Sequence, residues 1–235
     1  MSDYIKYLYD KQNNIEELQQ YFDIDYIKRD CADIKQRGGR GQTLLFTSKN
    51  SRQLVLRHYF RGGLMGKLLK DRFFIFEKHA HRAFDEYKLL NFMYKNGLNV
   101  PRAIIAREIL CGAFLRQDIV IEQIACSNDL ARIICERHLT NSELENIGKC
   151  IRKMFSLNID HTDLNLRNIL LDNNGKVYLI DFDKCYKCNL SFARKRAILD
   201  RLLRSFNKEL VVNQKKCYFD ISAFQILVKS ALSTD

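Results

Sequence analysis

His161-Thr162-Asp163-Leu164-Asn165-Leu166-Arg167-Asn168, followed eighteen positions after Asp163 by Ile180-Asp181-Phe182-Asp183, is the stretch whose reading decides the fold. A lone Asp-Leu or Asp-Phe pair is common, so the information lies in the joint spacing. The run from Asn168 to Asp181 reads NILLDNNGKVYLID: an apolar segment, a turn at Asp172 to Gly175, and a returning apolar segment. That pattern predicts a β-hairpin, which delivers Asn168 and Asp181 to one edge with Asp163 just upstream. Taken singly, Asp163 and Asn168 are ordinary turn formers and Asp181 an ordinary strand-end cap. Taken together they supply what phosphoryl transfer from ATP requires: an aspartate to orient and deprotonate a hydroxyl, and an asparagine with a second aspartate to hold Mg²⁺.

Working outward, 235 residues with 46% apolar side chains can fill one large core or two smaller ones. No run approaches the roughly eighteen apolar residues that span a bilayer. The start, Met1-Ser2-Asp3-Tyr4-Ile5-Lys6-Tyr7, lacks the basic head and apolar centre of a secretory signal, and a cytosolic location is the expectation. The eight cysteines are scattered through apolar stretches and read as free core thiols. Cys185 and Cys188 form a lone CxxC, whose use as a zinc site needs a second ligand pair that isolated His138 or Cys217 does not provide. A formal charge of +11 favours anionic partners, whether nucleotide phosphates, nucleic acid or a membrane surface, and does not choose among them.

Along the chain, residues 1 to about 28 contain a short helix from Asn14 to Phe22. Gly38, Gly39 and Gly41 precede two short strands, Gln42 to Phe46 and Gln53 to Arg57, separated by a turn at Ser48 to Ser51. This arrangement folds backbone over nucleotide phosphates, although an ordinary hairpin turn reads much the same. A glycine-rich basic stretch from Arg61 to Lys70 leads to a helix from about Ala80 to Asn96, ended by Gly97. Past Pro101 come strands at Ala103 to Ile109 and Ala113 to Ile124. From Ser127 onward the texture is helical apart from the hairpin, with helices from Asn141 to Phe155, capped by Thr140 or Asn141, and from Ser191 to Phe206. Strands first and helices later predict an α+β, two-lobed domain over residues 1–235. Its first lobe, at about 25–123, is a small antiparallel sheet with one helix, and its second, at about 124–235, is compact and helical. The crevice between such lobes is the expected nucleotide site.

Three segments carry a resemblance: VLRHYFRGGL from Val55 to Leu64, DIVIEQI from Asp118 to Ile124, and HTDLNLRNILL from His161 to Leu171. They resemble the protein-kinase-like fold and, within it, the small bacterial kinases of lipopolysaccharide core assembly, over about residues 25 to 205. The resemblance implies Asp163 as catalytic base, Asn168 and Asp181 as Mg²⁺ ligands, and Glu86 as partner of a strand-borne cation on the α- and β-phosphates. It also implies that backbone groups at Glu122 and Ile124 bind adenine. Where protein kinases carry lysine on the strand, this chain has Arg57, whose planar fork also grips phosphate; Lys67 is the fallback. Residues 61–68 are not a Walker A loop, since position 61 is Arg61 and position 68 is Leu68.

Thr162 stands where regulated protein kinases have an arginine and Asp183 where they have glycine, so regulation through that loop is not expected; no Ala-Pro-Glu segment follows Asp181, which implies a compact second lobe. Such a lobe suits a small or membrane-presented hydroxyl better than a peptide. The resemblance implies ATP as donor and a 3-deoxy-D-manno-octulosonic acid (Kdo) sugar on a lipid A precursor as acceptor, at its 4-hydroxyl. Basic residues between Arg61 and Arg72 and between Lys184 and Arg204 are then expected to meet the glycolipid phosphates and the anionic inner-membrane surface, as a peripheral protein with no nucleic-acid partner. The rival readings are a kinase for another acceptor, such as a core heptose, a protein or a small molecule, and a noncatalytic kinase-like protein that binds an anionic surface.

Overall fold

A computed structural model describes residues 4–37, 43–61, 70–77, 80–212 and 217–233. The chain divides into two compact units, residues 1–91 with 102–123, and residues 92–101 with 124–235. Gly38, Gly39, Gly41 and Lys67 lie outside the described residues.

The first unit is built on an antiparallel sheet of strands β1 (Tyr4–Tyr9), β2 (Ala32–Arg37), β3 (Thr43–Thr47), β4 (Gln53–His58), β5 (Phe73–Phe74), β6 (Ala103–Cys111) and β7 (Phe114–Glu122). Their order is β1-β6-β7-β4-β3-β2, with β5 on β7. Helices α1 (Ile15–Gln20) and α2 (Ile24–Asp30) are capped by Asn14 and Asp23, whose side chains accept from the first-turn amides. They bury Leu18, Tyr21, Phe22, Tyr26 and Ile27 with Phe46, Leu54, Ile105 and Val120 of the sheet. Two expectations are corrected here. The first unit carries more than one helix, and its sheet starts at β1, which pairs with β6 from Tyr4↔Leu110 to Tyr9↔Ile105. Tyr4 to Tyr9 is aromatic and aliphatic, a composition that suits a pleated sheet once a partner edge is present.

Helix α3 (Arg82–Lys95) is set by the sheet rather than by its own sequence. Gln117, fully buried on β7, accepts from the Ala83 N–H and donates to the Ala80 carbonyl, so it fixes where the helix starts. Beside it His58 bridges Asp118 at 2.6 Å and Asp71 at 3.2 Å, and Arg107 also bonds Asp118. Burial works to lower the His58 pKa, but the hydrogen bond and charge of Asp118 and the nearby Asp71 outweigh it and leave the pKa raised.

The second unit is more than helical. It contains α4 (Leu130–Glu136), α5 (Asn141–Ser156), α6 (Phe192–Val212) and α7 (Ile221–Leu232), and two small sheets. One sheet is β11 (Val177–Leu179), β10 (Ile169–Asp172) and β8 (Ser127–Asp129); the other is β9 (Ile159–Asp160) with β12 (Tyr186–Lys187). Helix α5 opens with a reciprocal capping box between Thr140 and Glu143. Its buried stripe of Leu144, Ile147, Ile151, Met154 and Phe155 faces the core. Gly148 lets α5 touch α7, because a Cβ there would sit 2.5 Å from the Ser230 Cβ and 2.6 Å from the Leu227 carbonyl.

Gly148→Ala is expected to push α7 off α5 and cost about 1–3 kcal/mol of stability; an unchanged melting temperature would contradict the close approach. The raised His58 pKa gives a signed pH effect. Its stabilisation is complete below the unfolded value of about 6.5 and is lost as pH rises through the folded value. The melting-temperature gap between the native protein and His58→Gln is therefore expected to shrink with increasing pH, and a gap constant from about pH 5.5 to about pH 9 would exclude a cationic His58.

Candidate active site

Strand β9 leads into the loop that begins at His161, whose imidazole is completely buried. Nε2 lies 3.1 Å from the Ile180 carbonyl, and Nδ1 lies 3.3 Å from the Asp163 amide nitrogen. A carbonyl only accepts and an amide N–H only donates, so the ring is the neutral tautomer with its proton on Nε2. Electrostatics agrees with this geometry. Burial holds the His161 pKa below its ordinary value, against the opposing pull of the Ile180 carbonyl and of Asp181, Asp163 and Asp160. Phe182, fully buried, packs on the ring at 4.7 Å between centroids.

The same segment is tied twice more. The Asn168 side chain donates through Nδ2 to the Asp163 carbonyl at 2.9 Å, and the Asn168 carbonyl accepts from the Ile180 N–H at 3.0 Å. Asn165 donates to the same Asp163 carbonyl and accepts from the Arg167 N–H, capping the 3₁₀ turn Leu166–Asn168. The hairpin runs where the spacing places it, with Ile169 opposite Leu179. Asn168 is thus bonded directly to Asp163, and Asp181 follows Ile180, which is bonded to both Asn168 and His161. The Asp163 carboxylate stays outward, its side chain 66% exposed.

Asp181 has φ 63, the left-handed region, which for a non-glycine residue costs about 1 kcal/mol or more. Neighbouring bonds hold it there. Ile180 is fastened through both its N–H and its carbonyl, and Cys185 N–H closes on the Phe182 carbonyl at 3.0 Å. The result is an aspartate whose backbone is held in place on both sides.

Among the described residues no cluster of three or more His, Cys, Asp or Glu side chains is arranged to hold a metal ion. The set available at this loop is one amide oxygen and one carboxylate. Because Asn168 spends its Nδ2 on Asp163, its Oδ1 is the atom left to coordinate. Hard oxygen donors of this kind suit Mg²⁺, which keeps several waters and shares phosphate oxygens, so the residues fit the ion without a full protein cage.

Helix α6 clamps the loop from outside. Arg194 holds the buried Asp160 through two bonds of 2.7 and 2.9 Å, the Ser205 hydroxyl accepts from the Leu166 N–H, and Arg167 reaches Glu209 at 2.7 Å. The sequence carried little signal for these contacts. Arg194, Ser205 and Glu209 share a helical stripe, but nothing local says what the stripe faces. His161 is part of the decisive motif, yet only the fold reveals its two backbone partners.

In the first unit Arg57 on β4 and Glu86 on α3 meet at 2.8 Å, with Glu86 almost wholly buried. Tyr59 donates its hydroxyl to the other Glu86 oxygen, and its ring lies 5.7 Å from the Arg57 guanidinium carbon. The Glu122 N–H is used by the Arg102 carbonyl and its side chain by Arg52 at 2.9 Å. The Ile124 carbonyl accepts from the Ser127 hydroxyl. Glu122 therefore does not offer its own N–H to an adenine. Arg61 pairs with Glu77 at 2.7 Å.

The comparisons with known proteins fall on these same segments. A model described as the lipopolysaccharide kinase (Kdo/WaaP) family matches residues 25–221. The 3-deoxy-D-manno-octulosonic acid kinase of Vibrio parahaemolyticus serotype O3:K6 is 40% identical over 83% of this chain and 82% of its own length. The protein of the same name from Vibrio vulnificus strain YJ016 is 40% identical, covering 88% and 86%. Its counterpart in Haemophilus influenzae strain 86-028NP is 36% identical, covering 87% of each. With the matched region spanning the Arg57–Glu86 pair and the whole loop from Asp160 to Phe182, this chain belongs to the lipopolysaccharide kinase (Kdo/WaaP) family.

Proposed function

We propose that this protein moves the γ-phosphoryl group of ATP onto the 4-hydroxyl of a Kdo sugar carried by a lipid A precursor. The observation that carries this reading is the loop in which Asn168, Ile180 and His161 fasten Asp163 beside Asp181. Relatives named for Kdo phosphorylation, similar over more than four fifths of the chain, support the acceptor.

Asp163 orients the sugar hydroxyl and takes its proton as the oxygen attacks phosphorus. The new bond joins that oxygen to the γ-phosphorus, the bond to the β-phosphate oxygen breaks, and ADP departs. Asn168 and Asp181 would hold Mg²⁺, which would supply positive charge against the phosphate oxygens. Arg57 contributes a guanidinium for the α- and β-phosphates. Its five N–H donors let it hold Glu86 and phosphate oxygens at once, while the Tyr59 hydroxyl keeps Glu86 in place.

The protein works at the cytoplasmic face of the inner membrane, where this glycolipid is presented. No helix among the described residues is long and apolar enough to cross a membrane. Attachment is therefore peripheral in this reading, through exposed basic side chains such as Arg196, Arg204 and Lys208 of α6 with exposed Phe192 at its start. Each basic residue near an anionic surface contributes about 1 kcal/mol.

Incubation with ATP, Mg²⁺ and the glycolipid, followed by mass spectrometry, is expected to show one added phosphate on the Kdo fragment; an unmodified glycolipid would refute the acceptor. Asp163→Ala is expected to lower kcat by about 10²–10⁴-fold with ATP binding retained, and a near-native rate would remove Asp163 from catalysis. Glu86→Gln preserves shape but releases Arg57, so the KM for ATP is expected to rise about tenfold with little change in acceptor KM. An unaltered KM for ATP would separate this pair from phosphate binding.

A further inference from the structure

The carboxylate of Asp163 has one ion-pair partner among the described residues, Arg201 of α6, at 3.7 Å. That distance is too long for a hydrogen bond. The neighbouring arginines are spent elsewhere: Arg194 closes its fork on Asp160 and Arg167 bonds Glu209. Arg201 makes no hydrogen bond among the described residues, and its side chain is 43% exposed.

Its place is built into the helix. Arg194, Arg201 and Ser205 stand at i, i+7 and i+11, one face of a helix of 3.6 residues per turn. Arg194 pins that face to Asp160, and Ser205 pins it to the Leu166 N–H. Arg201 lies between the two pins and so is held beside the carboxylate that receives the acceptor hydroxyl.

We propose that Arg201 binds the carboxylate of the acceptor sugar and is a specificity-determining residue of the reaction. The inference rests on the kinase reading above. The acceptor named by the relatives is an acid, and a hydroxyl and the carboxylate of one sugar lie within a side chain's reach of each other. A guanidinium offers a planar fork that matches a carboxylate bidentately, whereas a lysine offers a point charge. The phosphates have their own ligands in Arg57, Asn168 and Asp181, which leaves the cation beside the base to the acceptor.

The test compares the glycolipid with its Kdo carboxyl methyl ester, using the native protein, Arg201→Met and Arg201→Lys. The native protein is expected to prefer the acid over the ester by about tenfold or more in kcat/KM. Arg201→Met is expected to lose that preference through a raised acceptor KM, with the KM for ATP unchanged. Arg201→Lys is expected to recover part of the preference, which a purely structural arginine would not produce, and it serves as the second variant should the methionine protein fold poorly. Retention of the full acid preference by Arg201→Met, or a rise confined to the KM for ATP, would overturn the assignment. Equal use of acid and ester by the native protein would overturn it while leaving the Kdo kinase reading intact. Failure of the native protein to phosphorylate either acceptor would remove both.

Discussion

The loop that carries Asp163 is organised around one buried, neutral imidazole. His161 accepts from the Asp163 amide on one side and donates to the Ile180 carbonyl on the other, so a single ring fixes the spacing between the loop that carries Asp163 and the segment that leads into Asp181. Its burial makes this geometry firm. An imidazolium would bring a charge into a fully buried site and would turn Nδ1 into a donor facing another donor. Asn168 adds the second and third ties, one through its side chain to Asp163 and one through its carbonyl to Ile180. Against these bonds the left-handed backbone of Asp181 costs little, which explains how a residue with a Cβ is kept in that conformation.

Each unit holds its own charged arrangement in place. The first holds a cation in place by burying its carboxylate partner, Glu86, and satisfying that carboxylate's other oxygen with Tyr59. A buried carboxylate left with one partner would be costly, so the tyrosine is as much part of the arrangement as the arginine. The second presents an exposed aspartate on a rigid loop, clamped from outside by Arg194 and Ser205 of α6. Rigid backbone with an outward carboxylate is what a group needs if it must meet substrates in one geometry.

Much of this was legible in the chain because the informative features are local. The spacing from Asp163 to Asp181 encloses one hairpin, so the loop could be read as a unit, and the structure pairs Ile169 with Leu179 accordingly. The α+β class followed from strands giving way to helices. Features that depend on distant partners were not legible. Strand β1 is completed by residues about a hundred positions later, and β8, β9 and β12 are two or three residues long, too short for a period to show. Arg201 and Arg194 stood out in the sequence only as part of the basic stretch from Lys184 to Arg204, because a helical stripe does not announce which loop it will face. Arg57 was singled out against the usual lysine by its position on β4, and the structure shows it paired with Glu86.

The protonation state of His161 decides between this arrangement and a looser loop. Long-range proton–nitrogen NMR correlations of the His161 ring, recorded at about pH 6 where a free imidazole is mostly protonated, test it most directly. A neutral ring with its proton on Nε2 is the expected result. An imidazolium, or a neutral ring protonated on Nδ1, would contradict the placement of Asp163 and Asp181 on which the proposed mechanism depends.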